Sequence, residues 1–332
     1  MVLGSHPITP SPHHPINPST HHPINPLPNY REKEITLMQT QYLISGLTVL
    51  LVGAIAACST NPAPEAPTAD TAESATETAA PTETVDTIVA LTALTADIVH
   101  TLDADKLVGI PGSPILREGD RFAGLEVVSE GRAEPDLEKI VALEPDLVLG
   151  ATGFHDKSLA RLEALGIETL AVNVDGWNAL RTLTEDLAQQ IGADPTPLLD
   201  RYDACLAQAP ESSPSALVLV SRQPLLSPNK DSWAGDFLAQ FNIQNLTAEL
   251  QGESPFDGYV TLSEEKVLTS NPEALLVVDT GENLLEQLKG DAFWGDLQAT
   301  QTEAVYTFDY FGLVNPGSIA SIEQTCDQLS QL

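Results

Sequence analysis

The sequence predicts an α/β fold of two similar lobes, on the strength of three observations. From residue 87 onward, short apolar runs alternate with segments in which apolar residues recur at helical spacing. A twelve-residue segment of the first half returns in the second half at an offset of 127 residues. One further helical pattern lies between the two halves. Together these features predict two α/β lobes joined by one helix.

The first half contains four apolar runs that predict strands, at residues 88–91, 107–110, 147–150 and 169–174. Between them, Leu137, Ile140 and Val141 follow one another at helical spacing, and Gly166 ends a second helical stripe. Apolar strands that alternate with helices are typical of a parallel sheet covered on both faces.

The second half repeats this scheme, with predicted strands at residues 216–220, 274–279 and 305–308 and a last helix after Asn315-Pro316. Residues 138–149 (Glu-Lys-Ile-Val-Ala-Leu-Glu-Pro-Asp-Leu-Val-Leu) align without gaps on residues 265–276 (Glu-Lys-Val-Leu-Thr-Ser-Asn-Pro-Glu-Ala-Leu-Leu). The same offset relates Ile88 to Ser215, at the start of the first strand in each half. Two copies of one helix–strand unit predict two lobes rather than one large sheet.

A helix is predicted between the halves, because Leu198, Tyr202 and Cys205 recur at helical spacing after Pro195 and Pro197. A helix of about 14 residues spans about 21 Å, which is enough to bridge two lobes. We therefore predict a first lobe at residues 87–193, a linker helix at 194–213 and a second lobe at 214–332.

Residues 1–57 predict an N-terminal extension followed by a signal peptide. The apolar run of residues 42–57 has the length of a signal-peptide core and is short for a membrane span. It ends in Ile55-Ala56-Ala57-Cys58, and small residues before a cysteine resemble the lipobox of bacterial lipoproteins. That resemblance implies cleavage before Cys58 and a lipid on its sulfur. A secreted protein with a chance cysteine is the alternative, and the start at Met1 or Met38 stays open.

Residues 58–86 predict a disordered tether, because Pro, Ala, Thr, Ser and Glu leave almost no large apolar side chain to bury. Beyond Cys58 only Cys205 and Cys326 remain, either as a disulfide or as buried thiols.

Charge and motifs narrow the classes of function. The chain has 15 Lys and Arg against 47 Asp and Glu, and a net charge of -32 makes nucleic acid and anionic headgroups poor partners. The sequence has no nucleophile elbow, phosphate-binding loop, zinc-protease helix or dinucleotide fingerprint, so we predict that it is not an enzyme and needs no cofactor. Only two histidines follow residue 57, too few for a carrier of bare metal ions.

Residues 137–148 (Leu-Glu-Lys-Ile-Val-Ala-Leu-Glu-Pro-Asp-Leu-Val) resemble the signature of the periplasmic binding proteins for iron-siderophores, haem and cobalamin. The strand at residues 88–91 and the order of the following elements extend the resemblance over about residues 88–330. It implies two Rossmann-like lobes joined by one long α-helix, a ligand in the cleft between them and little closure on binding. It also implies delivery to an ABC permease dimer with cytoplasmic ATPases, on the periplasmic or cell-surface side of a bacterial membrane.

Ligands of open parallel sheets bind beyond the carboxyl ends of the strands, and aromatic residues are concentrated in those segments here. The ligand-binding candidates are Thr92, Arg132, Phe154, His155, Arg222, Trp233, Phe256, Tyr259, Asp309, Tyr310 and Phe311. Arg132 and Tyr259 are related by the 127-residue offset, so we expect them on equivalent loops. His155 is either an iron ligand or an exposed neighbour of a helix-capping Asp156.

The aromatic residues with Arg132 and Arg222 predict a bulky planar or catechol-like ligand that carries oxygen anions. A ferric siderophore or related iron complex is the favoured ligand, with cobalamin or haem as the alternative. Cobalamin binders of this family carry an aromatic residue where this chain has Arg132. A structural envelope lipoprotein without a ligand is the alternative of another class.

Glu138 and Glu265 occupy equivalent positions in the two repeats. The resemblance implies that they contact arginines of the two permease subunits. The alternative is that each is a helix-start glutamate that favours the helix dipole.

Overall fold

The computed structural model describes residues 84–117, 120–130, 133–252, 254, 256–281 and 283–332. The predicted lipidation site Cys58 and the predicted ligand contact Arg132 lie outside these ranges. The described residues belong to one compact unit, Glu77–Leu332. None of the helices in these ranges is both long enough and apolar enough to span a membrane.

The first lobe is built on a five-stranded parallel sheet. Its strands are β1 (Ile88–Ala90), β2 (Leu107–Gly112), β3 (Glu126–Glu130), β4 (Leu147–Ala151) and β5 (Glu168–Val172), in the order β3-β2-β1-β4-β5. Its helices are α1 (Ala93–Leu102), α2 (Leu137–Ala142) and α3 (Asp156–Glu163). The four predicted strands are present and parallel, as the sequence indicates.

Two helices lie between the sheets of the two lobes. α4 (Trp177–Ile191) is the longer and lies in the segment that the sequence analysis assigned to the first lobe. It ends at Gly192, whose φ of 72° is the left-handed conformation of a helix C-terminus. α5 (Thr196–Leu206) has 11 residues, fewer than the stretch predicted over residues 194–213. The division into two helices has a local cause, because Gly192 ends the first helix and Pro195 and Pro197 start the second one.

The second lobe contains a parallel sheet and a small antiparallel one. The strands are β6 (Ser215–Leu219), β7 (Ser221–Arg222), β8 (Leu225–Pro228), β9 (Gln244–Asn245), β10 (Tyr259–Leu262), β11 (Ala274–Asp279) and β12 (Val305–Asp309). The parallel order is β12-β11-β6-β9, and the antiparallel order is β10-β8-β7. The helices are α6 (Trp233–Gln240), α7 (Glu264–Ser270), α8 (Leu284–Leu288), α9 (Gln298–Gln301), α10 (Tyr310–Leu313) and α11 (Ile319–Leu329).

The sequence repeat corresponds to repeated structure. α2 and α7 begin at Leu137 and Glu264, and β4 and β11 begin at Leu147 and Ala274, so both pairs are separated by the predicted 127 residues. β1 pairs with β4 as β6 pairs with β11. The predicted α/β class with two similar sheets is confirmed.

The same carboxylate contact closes each copy of the repeat. Asp146 accepts a hydrogen bond from the backbone N–H of Thr87 at 2.9 Å, and Glu273 accepts one from Ser215 at 2.8 Å. Backbone donors lower the pKa of both carboxyl groups, because they stabilise the ionised form. Each contact fixes the start of a central strand against the end of the repeated helix–strand unit.

A shared core joins the two sheets through the connecting helices. Trp177, the first residue of α4, packs against Trp233 and Phe237 of α6 with ring centroids 5.5 and 5.2 Å apart, and against Tyr202 of α5 at 6.1 Å. These residues belong to one buried cluster that includes residues of β1 and of β6. The lobes are therefore parts of one packed body rather than separate domains.

Cys205 of α5 and Cys326 of α11 form a disulfide. Their Cα atoms are 5.6 Å apart, which is an ordinary distance for a disulfide. Both residues are buried. The bond ties the connecting helix to the last helix of the chain.

Candidate ligand-binding cleft

The structure places some of the predicted residues at the carboxyl edges of the parallel sheets, where the strands end. Thr92 follows β1, and Phe154 and His155 follow β4. In the second lobe, Asp309 ends β12 and is followed at once by Tyr310. Ligands of open α/β sheets bind at this edge. The edges of the two sheets therefore define the candidate cleft.

In the first lobe, Phe154 has the most exposed aromatic side chain, at 67%. Its ring meets the His155 ring edge-on at a centroid distance of 4.8 Å. His155 is buried, and its Nδ1 accepts a hydrogen bond from the backbone N–H of Ala151 at 2.9 Å. Burial lowers the pKa of His155, so the imidazole is neutral at pH 7. The expectation of an exposed histidine is wrong, because this contact draws the ring against the end of β4.

In the second lobe, four aromatic residues form two pairs, one at the start of β10 in the antiparallel sheet and one directly after β12 in the parallel sheet. Phe256 is 61% exposed and meets Tyr259 at 6.4 Å, and Tyr310 meets Phe311 at 5.3 Å. Burial raises the pKa of the partly buried Tyr259, and the nearby Tyr310 raises it further, so Tyr259 remains a neutral hydroxyl at any physiological pH. We call these four residues the aromatic wall.

Two candidates cap helices. The Thr92 hydroxyl oxygen accepts a hydrogen bond from Thr95 N–H at 3.2 Å, at the start of α1. The Asp309 carboxylate accepts one from Phe311 N–H at 2.7 Å, at the start of α10. Both residues hold the backbone of cleft loops.

Trp233 is a core residue and not a surface of the cleft, which corrects its prediction as a ligand contact. It is 3% exposed, and its indole N–H donates to the carbonyl oxygen of Gly312 at 3.0 Å. The physical reason is its position as the first residue of α6, a helix that turns its apolar face to the shared core.

Arg222 has a carboxylate partner that the sequence analysis missed. Its Nε donates to both carboxylate oxygens of Asp291 at 3.0 Å, and the Asp291 side chain is 9% exposed. The two residues are 69 positions apart, so no local pattern could have indicated the pair. Arg222 also lines a polar cavity of about 220 Å³ with Ser221, Gln223 and Thr280. The guanidinium that lines this cavity is therefore already paired with a carboxylate.

Glu138 and Glu265 are both exposed on the first turns of equivalent helices. In the part of the chain that the structure describes, neither carboxylate has an ion-pair partner. The helix starts are capped by other side chains, since Asp136 accepts from Lys139 N–H at 3.2 Å and Ser263 accepts from Lys266 N–H at 3.1 Å. Capping therefore does not depend on the glutamates.

Glu138 also borders an open apolar groove of about 570 Å³ between α2 and α3. Val141 and Leu165 line this groove and are 41% and 63% exposed. An exposed apolar surface beside an unpaired carboxylate is typical of a protein contact site.

Residues 88–310, which make up more than half of the chain, match the model of the periplasmic binding protein family. The chain belongs to this family. Two parallel sheets with their carboxyl edges at a cleft are the fold of its members, which bind and carry ligands and are not enzymes.

Among curated proteins, the vitamin B12-binding protein of Salmonella typhimurium is 26% identical over 208 residues, which cover 59% of this chain and 74% of the relative. The Fe(3+) dicitrate-binding periplasmic protein FecB of Escherichia coli is 25% identical over 187 residues, covering 54% of this chain and 60% of FecB. A crystal structure of an ABC transporter substrate-binding protein from Listeria monocytogenes has a TM-score of 0.62 at 22% identity, covering 74% of this chain and 98% of that one. The chain is thus a substrate-binding protein of an ABC importer.

Proposed function

We propose that this protein carries a bulky, largely uncharged macrocycle of the cobalamin class, held against the aromatic wall. The observation that carries the proposal is the exposure of Phe154, after β4 of the first lobe, and of Phe256, before β10 of the second lobe, at 67% and 61%. A phenylalanine ring left in water loses the free energy that its burial would contribute, about 2 kcal/mol. A planar apolar ligand would recover this energy for both rings.

The charges at the cleft support a neutral ligand over an anionic one. The guanidinium of Arg222 is paired with Asp291, so the free cation that favoured a ferric siderophore is lost from the second lobe. The cavity beside Arg222 offers hydrogen-bond donors and acceptors without net charge, which suits amide or hydroxyl side arms. The likeness to a vitamin B12-binding protein agrees with this choice.

A ferric chelate, the ligand favoured by the sequence, is the second candidate. Arg132 favours it on sequence grounds, because an arginine binds carboxylate and hydroxamate oxygens through charge-assisted hydrogen bonds. The likeness to FecB agrees with that ligand. The two candidates differ in charge, so they are separable by binding.

The proposal includes two further features. Lipid on Cys58 would hold the protein at the membrane surface through the segment of residues 58–86. Glu138 and Glu265, one on each lobe, would contact arginines of the two permease subunits. A permease with two-fold symmetry requires one such contact on each lobe.

The test is titration calorimetry of the purified protein with cyanocobalamin, haemin, ferric dicitrate and a ferric hydroxamate. Cyanocobalamin is expected to bind, and Phe154→Ala and Phe256→Ala are each expected to weaken it about tenfold, which corresponds to about 1.4 kcal/mol. Leu165→Ala is the matched control, because Leu165 is equally exposed at 63% but lies on the groove between α2 and α3. Binding of a ferric chelate alone, with Arg132→Ala abolishing it, would select the second candidate and reject the first.

A further inference from the structure

A buried carboxylate of the first lobe holds the last helix of the second lobe. Asp97 lies on α1, and its side chain is 2% exposed. Its Oδ2 accepts a hydrogen bond from the backbone N–H of Ile319 at 2.7 Å, across 222 residues of sequence. Ile319 is the first residue of α11, so the carboxylate meets the positive end of that helix.

The other carboxylate oxygen of Asp97 is paired with Arg121 within the first lobe. Arg121 is itself fixed, because its Nη2 donates to the Thr101 hydroxyl at 2.6 Å and its Nε donates to His100 Nδ1 at 3.2 Å. The guanidinium also lies 5.1 Å from the centroid of the Phe122 ring. Asp97 is therefore held in one orientation by its own lobe before it meets Ile319.

The start of α11 is rigidly connected to half of the aromatic wall. Gly317 N–H donates to the carbonyl oxygen of Phe311 at 2.7 Å, which ties the residues before α11 to α10. Gly312 of α10 packs so closely on α11 that a Cβ at that position would lie 2.0 Å from the Thr325 hydroxyl oxygen. Movement of α11 must therefore carry Tyr310 and Phe311 with it.

We infer that Asp97 is a positioning residue for ligand binding, which sets the aromatic pair Tyr310 and Phe311 of the second lobe relative to the first lobe through the Ile319 N–H. Asp97 does not touch the ligand; it acts through α11. The inference rests on the proposed function only for its ligand readout, because the position of α11 is measurable without ligand.

The most selective test compares Ile319→Pro with Ile319→Ala. Both variants shorten the same buried side chain, but only proline removes the N–H that Asp97 accepts. Proline is tolerated at the first position of a helix, and Ser318 has the extended backbone, with φ -158° and ψ 161°, that a residue before proline requires. Hydrogen exchange of residues 310–318 should be at least tenfold faster in Ile319→Pro than in Ile319→Ala.

A second comparison removes the acceptor. Asp97→Asn removes the negative charge that Arg121 and the Ile319 N–H share. The control Glu323→Gln removes a carboxylate of α11 itself and so breaks the ion pair of Glu323 with Arg201 on α5. Asp97→Asn should accelerate exchange at residues 310–318, and Glu323→Gln should leave it unchanged within twofold. If Asp97→Asn does not fold, the Ile319 pair decides alone.

The ligand readout uses cyanocobalamin. If the aromatic pair is correctly placed in only a tenth of the molecules once α11 is released, the apparent dissociation constant rises about tenfold. That rise is expected for Ile319→Pro relative to Ile319→Ala. Equal exchange and equal affinity in these two variants would overturn the inference. Failure of the unmodified protein to bind cyanocobalamin rejects the proposed ligand instead, and hydrogen exchange still decides the role of Asp97.

Discussion

Replacing Cys205 and Cys326 by serine should destabilise the protein without changing its fold. The disulfide joins α5 to α11 and closes a loop with a sequence separation of 121 residues. In the chain-entropy account, a closed loop of roughly this length reduces the entropy of the unfolded chain by an amount worth about 5 kcal/mol at 25 °C. Measured values are smaller than the entropic limit, so we expect a loss of about 2–4 kcal/mol. Both side chains are buried, and serine hydroxyls in their place add to the loss.

The measurement is calorimetric unfolding of the oxidised protein, the reduced protein and the double serine variant. For a folded unit of this size, each kcal/mol lowers Tm by about 2–4 °C, so a drop of about 5–15 °C is expected for the last two samples. Reductant should lower Tm of the unmodified protein and leave the double variant unchanged, which controls for other effects of the reagent. The reasoning is refuted if all three samples melt within about 1 °C of one another, a spread below the smallest shift expected from the disulfide.

Two further predictions concern pH and docking. Burial is the main cause of the lowered pKa of His100 and of His155, so below the ordinary histidine pKa of 6.5 the unfolded chain binds protons more readily than the folded one. The contribution of these histidines to the free energy of unfolding should therefore be complete above pH 6.5 and should fall as the pH drops below that value. The carboxyl groups of Asp146 and Glu273 have lowered pKa values, so they lose their contribution only below about pH 4. Urea unfolding at several pH values measures this, and a His155→Gln variant with an unaltered slope between pH 7 and 5 would contradict it. Replacing both Glu138 and Glu265 by lysine should abolish uptake in cells while ligand affinity and Tm are unchanged. Glu264→Lys is the control on α7. Normal uptake by the double variant would show that the two glutamates are only helix-start residues.

The strands that were predicted most accurately from sequence are those buried on both faces. β1, β4, β6 and β11 are continuous apolar runs, and their predicted positions agree with the structure to within one or two residues. β3 was not predicted, because only Val128 of this strand is buried and glutamates stand at both of its ends, so it has no apolar run. The small sheet of β7, β8 and β10 escaped because Pro224 and Pro228 interrupt its pattern.

The site shows the same division between local and long-range information. That Phe154 and Tyr310 directly follow β4 and β12 could be read from strand order alone, whereas Tyr259 begins β10 of the antiparallel sheet, which the sequence did not indicate. The pairing of Arg222 with Asp291 and the burial of Trp233 depend on contacts 69 and 79 residues away, which no window of sequence contains. Charge at a binding site is therefore the property that sequence reasoning places least well, and here it changes the ligand class that we favour.

The shared core limits how this protein can select its ligand. Opening the cleft by a hinge would separate Trp177 from Trp233 and break the buried hydrogen bond between Asp97 and Ile319, and the disulfide fixes α5 to α11 throughout. Each of these contacts is buried, so water would not replace the lost interactions without cost. We therefore expect little closure on binding, and selection of the ligand depends on surfaces that exist before it arrives. In such a site, closure does not correct a misplaced Tyr310 or Phe311. Asp97, which fixes α11 from the first lobe, therefore affects ligand binding through the position of these two rings.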